Sequence, residues 1–150
     1  MTHPNLRALV ALDLDLNSST NAIWARSVIS AMTSGNIQVD FLSRTTRPGE
    51  FELSVQSFCN NIIDATSFSE EGAHDDYGIT PRFRARQVIA LAKSEGYDFV
   101  LTQGIELSRY VAGGKALQSS LWAICDNSPF DVSKFTPQEL KHLEVIARGA

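Results

Sequence analysis

The sequence predicts an α/β fold: a single three-layer α/β/α domain built on an open, mainly parallel sheet. Three observations carry this. Short apolar runs recur along the 150 residues, and they are continuous rather than alternating, as in parallel strands covered on both faces. Helical patterns lie between the runs and stop at glycines. Small polar residues follow each run, where open parallel sheets place their ligands. The stretch Tyr97–Pro129 shows all three in one unit. An apolar run at Asp98–Thr102 leads through Gln103-Gly104-Ile105-Glu106 into a brief helix ending at Gly113-Gly114. A second run, Leu121–Cys125, then leads into Asp126-Asn127-Ser128-Pro129.

Taken in order, Leu6–Leu12 is the first strand. Asp13-Leu14-Asp15-Leu16 and a group of N-cap residues, Asn17-Ser18-Ser19-Thr20, follow it. A helix to about Ser34 puts Ala25, Val28, Ile29 and Met32 on one face, and Gly35 stops it. Ile37–Leu42 is the second strand, and Arg44, Arg47, Pro48 and Gly49 mark a turn and loop. A short helical turn fits Glu52–Asn60, and Asn61–Thr66 is a weak third strand. Ser67–Thr80 has four acidic residues, two glycines and little that is apolar. It is expected to be a loop, the most mobile internal segment, with too few apolar contacts to order it. Pro81 opens a helix to about Glu95 with Ala85, Val88, Ile89 and Ala92 inward. Phe99–Thr102 and Leu121–Cys125 are the fourth and fifth strands. Thr136-Pro137-Gln138-Glu139 starts a last helix whose stripe is Leu140, Leu143 and Ala147 and whose end is Gly149. Right-handed crossovers give the spatial order 3-2-1-4-5.

Composition narrows the function. A net charge of −4 and a pI near 5.3 give no electrostatic footprint for nucleic acid. No apolar run approaches a membrane span, and the N-terminus carries no charged-then-apolar signal pattern. Cys59 and Cys125 make no disulfide framework, and no Cys/His spacing suggests zinc. The expectation is a cytoplasmic protein with reduced thiols, no metal and no cofactor.

The strings YDFVLTQGIELSRYV, LQSSLWAICDNSP and TPQELKHLEVIARGA, with the opening LRALVALDLDLNSSTNAIWARSV, are similar to the N-terminal half of family-4 glycosyltransferases of the GT-B architecture. The resemblance covers nearly the whole chain and rests on order, spacing and texture. It implies a Rossmann-like domain, one half of a GT-B pair, that holds the sugar acceptor. The nucleotide-sugar donor would be bound mainly by a C-terminal domain with an E-x7-E glutamate pair. No glutamates here have that spacing, and a doubly wound domain normally returns from its last helix into another strand, so a donor domain is expected beyond Ala150. For the full-length enzyme the resemblance also allows peripheral membrane association. The chain departs from the family in having Asn17-Ser18-Ser19-Thr20 where many relatives have a Gly-rich loop. It has Thr102-Gln103-Gly104 where many have a histidine.

Candidate site residues follow from strand ends. Asn17, Ser18 and Ser19, with Thr20, can offer backbone N–H groups and hydroxyls to a diphosphate or an acceptor hydroxyl, or simply cap a helix. Gly104 permits close backbone approach and Glu106 can accept from sugar hydroxyls; the plain alternative is a turn and a first-turn carboxylate. Asp126 is the candidate catalytic residue, a general base toward an acceptor hydroxyl, with Asn127 beside it for binding; an Asx turn before Pro129 is the alternative. Glu70, Glu71, His74, Asp75 and Asp76 carry metal-compatible groups but read as an acidic loop. Arg82, Arg84 and Arg86 read as a solvated helix face, and Trp24, Trp122 and Cys125 as packing residues. A receiver domain is disfavoured because no Lys follows the fifth strand, and a dinucleotide domain because G-x-G-x-x-G is absent. A stand-alone binding module of the same fold is the competing function.

Overall fold

The computed structural model describes residues 6–47, 49–66, 69–75, 78–114, 120–124 and 137–149. Five strands form one all-parallel sheet: β1 (Leu6–Leu12), β2 (Ile37–Leu42), β3 (Asn61–Ile63), β6 (Phe99–Gln103) and β7 (Ser120–Ile124). Their order is β3-β2-β1-β6-β7, which is the expected 3-2-1-4-5. A separate two-stranded antiparallel hairpin joins β4 (His74–Asp75) to β5 (Gly78–Ile79). The helices are α1 (Ser19–Ser34), α2 (Glu50–Val55), α3 (Pro81–Glu95), α4 (Ile105–Ala112) and α5 (Pro137–Gly149). The domain is a Rossmann-like three-layer α/β/α sandwich, and none of its described helices is long and apolar enough to cross a membrane.

Alternation along β1 divides the core. Ala8, Val10 and Leu12 point to one face with Val39, Phe41, Phe99 and Leu101, where Ala25 and Ile29 of α1 and Phe51 and Val55 of α2 cover them. Leu9 and Ala11 point to the other, with Leu42, Val100 and Leu121, under Ala85, Val88 and Ala92 of α3 and Leu107 and Val111 of α4. Every residue of β1 from Ala8 to Leu12 is fully buried, which is why that stretch contains no polar residue. The helices stop as expected at α1 and α3; Gly96 closes α3 in the left-handed conformation that glycine tolerates.

Three expectations are corrected. The third strand ends at Ile63 rather than Thr66, because its partner β2 offers only Asp40–Leu42 for pairing. The expected turn at Glu52–Asn60 is the helix α2, which begins earlier, where the Glu52 carboxylate accepts from the Gly49 N–H at 2.9 Å and fixes the first turn. The segment expected as a contact-poor loop contains the β4–β5 hairpin. Ala73 and Ile79 are buried in a small core with Ala65 and Phe83, and the Ile79 N–H donates to the Arg44 carbonyl at 2.9 Å. Two well-placed apolar residues anchor what the acidic composition concealed.

One carboxylate interrupts the apolar run of β2. Asp40 of β2 is 4 % exposed. Its carboxylate accepts from the Tyr97 hydroxyl at 2.6 Å and from the side-chain amides of Asn60 and Asn61 at 3.0 and 3.2 Å, with Arg7 at 3.7 Å. Burial, then the bond to Asp40, push the Tyr97 hydroxyl pKa up. Burial and the charge of Asp40 likewise push the Cys59 thiol up to about 11. A thiol with that value forms about 100-fold less thiolate near neutral pH than one at the ordinary model value of 9.0. In a Cys125→Ser background, iodoacetamide should therefore alkylate native Cys59 about two orders of magnitude more slowly than the urea-unfolded chain. The raised value also means that whatever stability the protonated thiol contributes is present below pH 9 and lost as pH rises through about 11.

Candidate functional site

The carboxyl ends of β1, β2 and β6 converge where the chain leaves β1 for one side of the sheet and β6 lies on the other. This is the topological switch point of a doubly wound sheet. Asp13, the first residue beyond β1, is held there twice. Its N–H donates to the Gln103 carbonyl at 3.1 Å and faces the Gln103 side-chain Oε1 at 2.8 Å. Its carboxylate pairs with the Arg44 guanidinium at 3.4 Å, the two side chains being only 18 % and 11 % exposed.

Under this pair lies a second guanidinium. Arg84 extends from the first turns of α3 and is fully buried. It donates to the Leu12 carbonyl at 2.6 Å and the Leu42 carbonyl at 3.0 Å, tying the ends of β1 and β2 together, while its Nε has no hydrogen-bond partner. Burial pushes its pKa down to about 9, with Arg44 acting the same way and Asp13 and Glu52 opposing. It remains cationic at neutral pH. Glu52 is itself fixed: Ser43 Oγ donates to one carboxylate oxygen at 2.7 Å and the Gly49 N–H to the other at 2.9 Å. Two guanidiniums and two carboxylates therefore make a charge-balanced, largely buried cluster beneath the strand ends.

Gly104 has a specific reason to be glycine. Its φ is 101°, and a Cβ there would lie 2.8 Å from the Asp13 Cβ. The glycine lets α4 start against Asp13. Gly104→Ala should lose about 1–3 kcal/mol in urea unfolding, the usual cost of a side chain in such a backbone region, and displace Asp13.

The predicted residues fall into three groups. Asn17, Ser18 and Ser19 form the β1–α1 junction. The Asn17 N–H donates to Asp15 Oδ1 at 3.0 Å, and Ser18 is the N-cap of α1 but makes no side-chain capping bond. Asn17 and Ser19 line a groove of about 520 Å³ between the first turns of α1 and α2, together with Ala22, Ile23, Arg26, Glu50, Phe51 and Ser54. The groove shares Leu16, Asn17, Glu50 and Phe51 with an inner cleft of about 80 Å³ that reaches Arg44 and Thr45. Gly104 lies across the switch point against Asp13. Glu106 is not brought to the cleft: its carboxylate is paired with Arg109 at 3.1 Å, and His142 Nδ1 of α5 lies 3.2 Å away. Asp126 and Asn127 lie outside the described residues, as does Cys125.

Arg82 and Arg86 are exposed as expected, but Arg84 is not; the reading of all three as a solvated face is corrected for it. Its helical phase carried the signal, since it lies four residues before buried Val88. Trp122 stacks on Phe99 with ring centroids 4.4 Å apart yet stays 57 % exposed. No cluster of His, Cys, Asp and Glu suited to a metal occurs among the described residues. Nothing local in the sequence marks Asp13, Arg44, Gln103 and Glu52 as members of one site, because their proximity depends on strand order. No family model and no curated protein sequence matches the chain.

Proposed function

We propose that this domain is the acceptor-holding half of a two-domain glycosyltransferase, family-4-like and of GT-B type, acting in the cytoplasm on a nucleotide-sugar donor bound by a second domain. The observation that supports the reading most is the polar cleft at the carboxyl ends of β1 and β2, lined by the Asn17–Ser19 junction, beside a parallel sheet of order β3-β2-β1-β6-β7. In a reaction across two facing domains, this wall binds and orients the acceptor. Asn17, Ser18 and Ser19 present amide and hydroxyl groups to it, and Gly104, packed against Asp13, brings the backbone of the β6–α4 junction close to the same substrate. Asp126 is proposed as the base that takes the acceptor proton, with Asn127 aiding binding. Orientation of two reactants supplies several orders of magnitude in rate, and only when both walls are present.

The expected result is a folded 150-residue chain with no measurable affinity for UDP-, GDP- or ADP-sugars by calorimetry, and no transfer. Joined to a donor domain of the same architecture, it should gain both. Micromolar nucleotide-sugar binding by the chain alone would overturn the assignment of this domain to the acceptor side.

A further inference from the structure

The groove between α1 and α2 indicates what kind of acceptor this wall takes. Its charged lining is Glu50 and Arg26, and the inner cleft that it joins adds Asp15, Glu52 and Arg44. Two of these are already engaged within the protein. Arg44 is paired with Asp13, and Glu52 accepts from Ser43 and Gly49. Asp15 is partly engaged by the Asn17 N–H. What faces the groove is therefore one exposed cation, Arg26, one exposed carboxylate, Glu50, and neutral groups on Asn17, Ser19 and Ser54. Among the described lining residues there is no excess positive charge to offset a phosphate or a carboxylate. The basic α1 terminus is modest by itself, equivalent to roughly half a charge.

The same lining suits a polyol. A sugar hydroxyl both donates and accepts, so it needs carboxylate or carbonyl oxygens and amide or guanidinium N–H groups close together. Glu50 and Asn17 lie on the shared boundary of groove and cleft and supply both. The C–H face of a pyranose needs apolar surface, and Ile23, 62 % exposed on the rim, offers it together with Leu16, Ala22 and Phe51. The groove's 520 Å³ lies within the roughly 300–1,000 Å³ typical of small-molecule sites. We infer that the α1–α2 groove is a saccharide site that binds the uncharged end of an oligosaccharide acceptor, with Asn17 and Glu50 reading hydroxyls and Ile23 stacking on a ring. This rests on the transferase reading for the word acceptor, but the binding itself does not.

The test is a ¹H–¹⁵N NMR titration of the full 150-residue chain with maltotriose, chitotriose and mannotriose, and separately with inorganic phosphate and glucose 6-phosphate. At least one neutral trisaccharide should shift the amides of Asn17, Ser19, Ile23 and Ser54, and phosphate should not. Asn17→Ala and Glu50→Gln should each weaken that binding about fivefold, the effect of one hydrogen bond, and Ile23→Ser should weaken it as well, with unchanged circular dichroism in every variant. Binding confined to the phosphate-bearing ligands, saccharide shifts elsewhere on the surface, or no saccharide shifts at all would each overturn the inference. Phosphate-only binding would leave the transferase reading standing with an anionic acceptor. Conversely, micromolar nucleotide-sugar binding would sink that reading without touching the groove.

Discussion

Arg84→Ala should cost about 3–5 kcal/mol of folding stability, read from urea unfolding followed by circular dichroism. That is the range for breaking a buried, hydrogen-bonded charge from one side. The magnitude follows from what is left behind. The Leu12 and Leu42 carbonyls lose their donors at 2.6 and 3.0 Å, and each unsatisfied buried carbonyl costs about 1–3 kcal/mol. The volume vacated beneath the strand ends adds a cavity term. Asp13 and Glu52 also lose a favourable neighbour, since both act to keep Arg84 charged. Arg84→Lys should recover only part of the loss, because a single ammonium lacks the planar fork that reaches two carbonyls on different strands. Equal stability of wild type and Arg84→Ala would show that the two strand ends do not depend on this residue.

Asp40→Ala should be comparably severe, about 2–4 kcal/mol. It removes the 2.6 Å bond from the buried Tyr97 hydroxyl and the bonds from the exposed Asn60 and Asn61 amides, and it leaves a hole where the carboxylate was 5 % exposed. Tyr97→Phe, which removes one partner and keeps the ring, should cost about 1–2 kcal/mol. The two changes should not add: the double variant should be more stable than the sum predicts by about 1–2 kcal/mol, since they remove the same 2.6 Å bond. Full additivity would contradict the shared interaction. The raised Tyr97 value sets the sign of the alkaline response. The bond's contribution is complete below the ordinary tyrosine range near pH ~10 and disappears only as pH climbs through the higher folded value. The Tyr97→Phe variant should therefore lose less stability than wild type on going to high pH.

The frame was legible in the residues because each level of the sequence agreed with the others. β1 and β2 were read to the residue, and α1 and α3 end where glycines stop them. Short connections and right-handed crossovers then left one strand order. What escaped was set by contacts between distant residues. Asp40 interrupts the run IQVDFL, a visible anomaly, yet nothing local says that Tyr97 lies 57 positions away to receive it. Arg84 was hidden by its neighbours: flanked at two residues on either side by exposed Arg82 and Arg86, it resembled a charged face, although its helical phase matched Val88. The β4–β5 hairpin was hidden by brevity, with two residues per strand and only Ala73 and Ile79 to bury. In the candidate site, Asn17, Ser18 and Ser19 were found because strand ends are positions a sequence reveals. Arg44 and Glu50 were not, since the cleft that they line forms only when α2 folds back beside the β1–α1 junction.

Strand β1 is the centre of the sheet, bonded to β2 on one edge and to β6 on the other. Its partners are very unequally distant along the chain. β2 follows within one helix, but β6 begins only at Phe99. During synthesis at about 5–20 residues per second, the apolar second edge of β1 waits several seconds after β2 appears before its partner exists. Closing that gap brings together residues some 90 positions apart, the kind of pairing that slows folding. The nascent domain thus carries an open, fully apolar strand, Ala8 to Leu12, until β6 has been made. Conditions that slow translation past α3 should lengthen this exposure and favour aggregation or chaperone capture over folding.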